Sequence, residues 1–306
     1  MMGEGKSPSR ELILNGKKRT IHGSSADDPY FSTLLNESEW PFIHFCQRYV
    51  RDDYNCIDIG ANVGLMTLYI ADYCTSGRII SVEPNRAVFG ALQNTIRANG
   101  IGNAVAVNVA INDRDGEVRF AEDSAYGHID PSGSAVLEGI TLTTLLQQCR
   151  MDRVDFIKID VEGYEPILIR SALDLIKRDK PLVFLEFNSW SLIANGEQPL
   201  HFLEWLLQTF AHLYVVTYRP PAPELLMRVT AENIRTIMHD NMLKNGCVDD
   251  LVITDDPSRL AYSDSFLNNK KLQDSQPENA ERKHKMSLRF SALASSKALL
   301  KKFRSR

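Results

Sequence analysis

Apolar residues in this chain come in short runs separated by longer amphipathic stretches. Five runs stand out, at Asn55–Ile59, Arg78–Val82, Ala104–Val109, Asp155–Ile159 and Pro181–Phe187. Each is rich in Ile and Val and apolar throughout rather than alternating, the pattern of a strand buried on both faces of a parallel sheet. The stretches between them read as helices. Val63–Tyr73 is apolar on nearly all sides, Arg86–Ala98 is amphipathic and stops at Asn99-Gly100, and Pro166–Ile176 and Leu200–Phe210 follow. Trp40–Tyr49 opens the series, with Phe42, Ile43, Phe45, Cys46 and Tyr49 at helical spacing. Strand–helix alternation of this kind predicts a doubly wound α/β fold around a mostly parallel sheet. Two late runs, Leu213–Tyr218 and Val248–Thr254, predict an antiparallel pair at one sheet edge. Gly116–Phe120 reads as a strand of an excursion between the third and fourth main strands.

Breaker residues divide the chain. Residues 1–35, polar and Gly/Ser-rich, read as a loose lead-in or small N-terminal cap, residues 36–256 as the main domain, and residues 257–306 as a polar linker with a basic tail. Residues 281–306 carry nine Lys/Arg and one acid, so the rest of the chain is more acidic than the overall net charge of −4. Within that tail Leu288, Leu293, Leu299, Leu300 and Phe303 alternate with basic residues. A helix there would suit an anionic membrane surface or an acidic partner; the alternative is a solvated, disordered tail.

Composition narrows the class. A hydrophobic fraction of 43% and a charged fraction of 24% fit a soluble globular protein. No secretion signal and no membrane-spanning run is visible. The five cysteines are scattered, odd in number and without a CxxC pair, so the expected location is the reducing cytoplasm. The acidic core gives no reason to expect a nucleic-acid partner.

The central chemical signal is Cys56-Ile-Asp-Ile-Gly-Ala-Asn-Val-Gly64, a buried strand entering a turn with a helix behind it. Glycine at such a turn permits φ > 0 and lets a ligand lie against bare backbone, and exposed N–H groups at the helix start favour an anionic ligand group. Asp58 sits at the strand end and is expected to face the same crevice. A dinucleotide is the obvious rival ligand, but the spacing is Asp-x-Gly-x-x-x-Gly rather than Gly-x-Gly-x-x-Gly. An acid at this position also opposes a diphosphate, while it welcomes a ligand carrying an ammonium and a sulfonium. S-adenosylmethionine is such a ligand. Ile79-Ile-Ser-Val-Glu83-Pro84 adds a carboxylate at the tip of the second strand, where it can accept both ribose hydroxyls of an adenosine. Pro84 is expected at the first position of the next helix. Asp113, after the third strand, is a candidate for the adenine amino group, although Asn112-Asp113 is also ordinary turn chemistry.

A second concentration of acids follows the fourth and fifth strands. Asp160 and Glu162 stand just beyond Asp155–Ile159, and Glu186 and Asn188 end the next run. In open α/β sheets ligands bind outside the carboxyl ends of the strands, so Asp160, Glu162 and Glu186 are the candidates to meet a methyl acceptor and take its proton. An alternative gives Asp160, Glu186 and Asn188 a hard divalent cation. The seven histidines show no metal-ligand spacing, and no metal is assigned. His44 lies in an apolar helix, and His128 sits in a polar loop able to reach the site. Glu165 is expected to favour the N-terminus of the helix from Pro166.

Together, Asp58-Ile-Gly-Ala-Asn-Val-Gly64, Val82-Glu83-Pro84, Ile157-Lys-Ile-Asp160-Val-Glu-Gly163-Tyr-Glu165 and Phe184-Leu-Glu186-Phe resemble the FkbM family of methyltransferases over roughly residues 39–254. The resemblance implies a class I, Rossmann-like methyltransferase fold with Asp58, Gly60, Asn62, Gly64 and Glu83 around S-adenosylmethionine. It also implies O-methylation of a hydroxyl on a small molecule, natural product or glycan. One departure stands out: the family tends to show Thr-Leu-Asp before the fourth strand, where this chain reads Thr141-Leu-Thr143. A methyltransferase of protein or nucleic acid and a non-catalytic adenosyl-ligand-binding protein are the rival readings.

Overall fold

The structure, a computed structural model, describes residues 7–36, 39–121, 127–217 and 225–262. Of the predicted linker and basic tail, residues 263–306 lie outside the described residues, while Pro257–Leu260 form a short 3-10 turn capped by Asp256. The chain opens with a hairpin of β1 (Ser9–Leu14) and β2 (Lys17–His22), then α1 (Pro29–Thr33) and α2 (Trp40–Tyr49). The predicted alternation follows as β3 (Asn55–Ile59), α3 (Leu65–Ala71), β4 (Arg78–Val82), α4 (Arg86–Ala98) and β5 (Ala104–Val107). An excursion of β6 (Ala110–Ile111), β7 (Gly116–Ala121), β8 (His128–Ile129) and β9 (Ala135–Ile140) forms its own four-stranded sheet. The second half runs through α5 (Leu142–Cys149), β10 (Phe156–Ile159), α6 (Glu165–Ser171), α7 (Leu173–Asp179), β11 (Leu182–Asn188), α8 (Ser189–Ala194) and α9 (Pro199–Thr209). It ends with β12 (His212–Val216), β13 (Leu226–Arg228), α10 (Ile234–Leu243) and β14 (Val248–Thr254).

The main sheet has the order β13-β12-β14-β11-β10-β3-β4-β5. Strands β5, β4, β3, β10 and β11 are mutually parallel, and β14, β12 and β13 continue the sheet antiparallel. The expected edge pair is therefore present, with β13 added outside it. Apolar runs were required because both faces are covered. Ile57, Ile59, Ile80, Val82, Ile157, Ile159, Val183 and Leu185 pack into one core with α5, α6, α7, α9 and α10. The alternate residues Cys56, Ile79, Phe156, Leu182 and Phe184 pack into the other with α2 and α3. No helix among the described residues is long and apolar enough to cross a membrane.

Three local features differ from the pattern reading. The stretch 166–176 is not one helix: it breaks at Ala172, where α6 ends and α7 begins. Ser171 bonds its own turn there, donating from Oγ to the Leu168 carbonyl, a side-chain competition that weakens helix continuation. Pro84 precedes α4 rather than opening it, because Asn85 supplies the cap by accepting from Ala87 and Val88 N–H. Residues 9–22 form a hairpin that buries Leu12, Leu14 and Ile21 and docks on α4, where Thr20 and His22 N–H donate to Asn99 and Thr95.

One helix placement matters for the site. Phe42 and Phe45 of α2 pack edge-on against Phe184, each with ring centroids 4.9 Å away, and Phe45 also meets Phe156. Aromatic pairs of this geometry contribute about 0.5–1.5 kcal/mol each beyond simple burial. They hold the start of α2, and with it Glu39, over the carboxyl ends of β10 and β11.

Candidate active site

Strand β3 has β4 and β5 on one side and β10 and β11 on the other, so its tip is a topological switch point. A cavity of about 190 Å³ opens there. Its floor comes from Gly60, Ala61 and Asn62 after β3, Glu83 and Pro84 after β4, and Asp160, Val161 and Glu162 after β10. Glu186 of β11, Glu39 before α2 and Asp250 of β14 close the far end.

The glycine loop is tightly folded on its neighbours. Gly60 adopts φ 78°, and a Cβ at this position would collide with the carbonyl oxygen of Asp160. Close approach of β3 to β10 thus demands glycine. Gly60 and Ala61 N–H donate to the Val82 carbonyl at 3.0 and 2.9 Å, and Gly64 N–H to Ala61 at 2.9 Å. Asn62 N–H donates to Glu83 Oε2 at 2.9 Å, and Val63 N–H to the Asn62 side chain at 2.8 Å. All five loop N–H groups, from residue 60 to residue 64, are satisfied internally. A diphosphate would need such groups available.

Glu83 is buried, and its oxygens each take one backbone N–H, from Asn62 and from Asn85, both at 2.9 Å. Burial pushes its carboxyl up to about 7, against the opposing effect of those two N–H groups. Each oxygen retains accepting capacity toward the cavity.

The acidic end gathers five carboxylates, those of Glu39, Asp160, Glu162, Glu186 and Asp250. Burial pushes Glu162 up to about 8, and Glu186 and Asp250 well above the ordinary range; neighbouring negative charges act in the same direction. Buried Glu186 Oε2 has no hydrogen-bond partner. Glu162 adopts φ 55° and accepts from Ser191 Oγ at 3.3 Å. Oxygens of Asp160, Glu162 and Glu186 lie within 4.8 Å of one another, near enough to share one cation. Asn188 is not part of this group: it caps α8, accepting from Trp190 and Ser191 N–H. Lys158 sets its ammonium beside the acids, 3.0 Å from Asp160 and 3.9 Å from Asp58.

Several expected site residues stand elsewhere. Asp58 is fully buried beneath the loop, accepting from the Thr67 hydroxyl at 2.7 Å, and does not line the cavity. Gly64 caps α3 and packs against α4. Asp113 is exposed and outside the cavity lining, because Asn112 folds back, accepting from Tyr164 Oη at 2.5 Å and donating to the Arg114 carbonyl. Glu165 does more than favour a helix terminus: buried, it accepts from Val161 and Gly163 N–H and shapes the acidic turn. Thr143 is exposed, and the carboxylate at that turn comes instead from Asp115, which accepts from Thr141 N–H and the Thr144 hydroxyl. His128 does line the cavity. His44 has its imidazole pushed down to about 4 by burial, in keeping with a core position.

Glu39, Lys158, Tyr164 and Asp250 were not singled out by sequence. Lys158 carried a signal, as the one cation inside an apolar strand run. Glu39 and Asp250 carried none, since the tertiary pairing of β11 with β14 and the seating of α2 bring them in.

Among solved structures, the chain is similar to an FkbM methyltransferase from Methylobacillus flagellatus, at 15% identity and TM-score 0.42 over 66% of this chain and 44% of that one. It therefore spans less than half of the Methylobacillus protein. It is also similar to M. jannaschii TYW2, solved with AdoMet, at 12% identity and TM-score 0.44 over 83% and 87% of the two chains. An O-methyltransferase from Bacillus cereus, solved with SAH, is similar at 11% identity and TM-score 0.40 over 72% and 82%. Among curated proteins none matches the sequence significantly. Residues 58–216, which carry the glycine loop, Glu83 and the acidic turn, match the methyltransferase FkbM domain over more than half of the chain, and the protein belongs to that family.

Proposed function

We propose that the crevice binds S-adenosylmethionine and that the protein methylates a hydroxyl on a small molecule, natural product or glycan. The observation that carries this reading is Glu83, a buried carboxylate fixed by two backbone N–H groups at the tip of β4 with accepting capacity left toward the cavity. Two adjacent ribose hydroxyls match such a carboxylate. The internally satisfied loop supports a ligand without a diphosphate, and the surrounding acids support one bearing positive charge. Tyr164, which lines the cavity and is held by Asn112, takes over from Asp113 as the candidate to meet the adenine.

When bound, the cofactor supplies an electrophilic methyl group on a sulfonium. The protein's tasks are to align the acceptor, exclude water and receive a proton. Asp160, at the cavity's acidic end and oriented by the Lys158 ammonium at 3.0 Å, is the carboxylate placed to take that proton. Glu162 and Glu186, pushed up by burial, hold protons near neutral pH and can donate to acceptor oxygens. Five free thiols support the reducing cytoplasm as its location.

Calorimetric titration with adenosylmethionine and adenosylhomocysteine, with NAD as control, tests the reading. Micromolar binding of either adenosyl ligand, lost in Glu83→Ala, is the expected result; binding of NAD alone would overturn it. Asp160→Asn should then retain ligand affinity and lose methyl transfer.

A further inference from the structure

Lys158 is an unusual occupant of a central strand. It sits on β10 between β3 and β11, directly opposite Asp58 in the β3 register. Only 5% of the residue is exposed. Its ammonium reaches three groups on two sides of the switch point: Asp160 Oδ2 at 3.0 Å, the Gly60 carbonyl at 3.5 Å and Asp58 Oδ1 at 3.9 Å. Asp58 Oδ1 has no hydrogen-bond partner, so Lys158 is the charge that answers it. Among the described residues lining the cavity, Lys158 is the one ammonium or guanidinium.

A desolvated ammonium persists only where several anionic oxygens surround it. Here those oxygens belong to the cofactor loop and to the acceptor edge, which are separate in sequence by about a hundred residues. We propose that Lys158 is a positioning residue whose buried ammonium locks the Gly60 turn and the Asp160 carboxylate into one arrangement, so that cofactor affinity depends on it through Asp58 and Gly60. This rests on the adenosylmethionine reading given above. In the absence of the ammonium, Asp58 would be a buried charge without compensation directly under the turn, and the turn would shift to admit water or a proton.

The mechanism of the effect separates it from direct ligand contact and from simple destabilisation. Adenosylhomocysteine is titrated calorimetrically into the full chain and into K158M, D58N and D58N/K158M, each checked for folding by circular dichroism and thermal melting. K158M should bind about tenfold or more weakly at unchanged stoichiometry, whereas adding K158M to D58N should cost less than about threefold, the coupling of residues that act as a unit. The double variant leaves no uncompensated charge at the buried position 58, and Asp160 is partly exposed to solvent, so it remains informative if K158M folds poorly. Equal costs of K158M in the two backgrounds would overturn the proposal in favour of direct contact. An unchanged dissociation constant in K158M, with only its melting temperature lowered, would overturn it in favour of a structural role. If the unaltered protein bound neither adenosyl ligand, the cofactor reading itself would fall, and this inference with it.

Discussion

The backbone N–H of Asn62 donates to Glu83 Oε2 at 2.9 Å, joining the glycine loop after β3 to the carboxylate after β4. Loop and carboxylate are thus placed by one contact, and ligand affinity should respond to Glu83 beyond the loss of one ribose partner. Glu83→Gln presents an amide that cannot accept at both positions, so either Asn62 or Asn85 N–H is left facing a donor. The expected outcome is adenosylhomocysteine binding weaker by about tenfold to a hundredfold, since hydrogen bonds to charged groups contribute about 1.5–3 kcal/mol. Calorimetry checks this; affinity within a factor of about two would remove Glu83 from the site.

The protonation of Glu83 gives that affinity a pH dependence of definite sign. Burial raises its carboxyl from 4.5 to about 7 in the fold. The folded chain therefore holds this proton more tightly than the unfolded chain. Its contribution favours the fold fully at low pH, is withdrawn as pH rises from 4.5 to about 7, and amounts to about 3 kcal/mol. In the proposed contact the ribose hydroxyls donate to the ionised form, so ligand binding is expected to run the other way and tighten over the same rise. The increase in melting temperature caused by saturating adenosylhomocysteine should grow between about pH 5.5 and about pH 8. In Glu83→Gln that growth should vanish.

Gly60 offers a test of the loop itself. A methyl group at this position meets the carbonyl oxygen of Asp160, just beyond β10 and tied to β3 by its N–H to the Ile59 carbonyl, and the φ of 78° is unfavourable for alanine. Gly60→Ala should cost at least about 2 kcal/mol of stability and abolish adenosyl-ligand binding. Gly102→Ala is the matched control, because its added methyl meets nothing within 4 Å. Urea unfolding of both variants checks the contrast, and equal stability would mean the β3 and β10 tips can part freely.

The sheet was legible because β3, β4, β10 and β11 are buried on both faces, which forces an uninterrupted apolar run whatever the rest of the fold does. Strand β5, at the sheet edge with Val105 exposed, is apolar without that constraint. The acids Asp160, Glu162 and Glu186 were legible for a related reason: they end such runs. What escaped was settled by tertiary placement. Asp58 reads as a strand-end acid, yet the turn at Gly60 closes over it and Thr67 binds it from below. Asp113 and Asn112 are equally plausible in sequence, and only the Tyr164 hydroxyl decides which is turned inward. The hairpin at residues 9–22 was readable in principle. Its Asn15-Gly16 turn has positive φ at both residues, a conformation favoured by that dipeptide, but the flanking strands bury only one face and look polar.

Glu162 and Glu186 should each weaken the fold that carries them. Burial first and then repulsion from Asp160 raise both carboxyls, Glu162 to about 8. For a carboxyl raised in this way, stability falls as pH climbs above the unfolded value of 4.5 and through the folded one. Glu162→Gln and Glu186→Gln keep the shape and remove the titration, so both should raise the melting temperature at about pH 8 and change it little at about pH 5. The same variants should lose methyl transfer if these groups serve the acceptor, because an acid cluster kept for stability would have no reason to be strained. Differential scanning calorimetry at the two pH values checks the first half. A drop in melting temperature at the higher pH would mean that the two carboxylates are compensated in solution, as a bound cation bridging them with Asp160 would do.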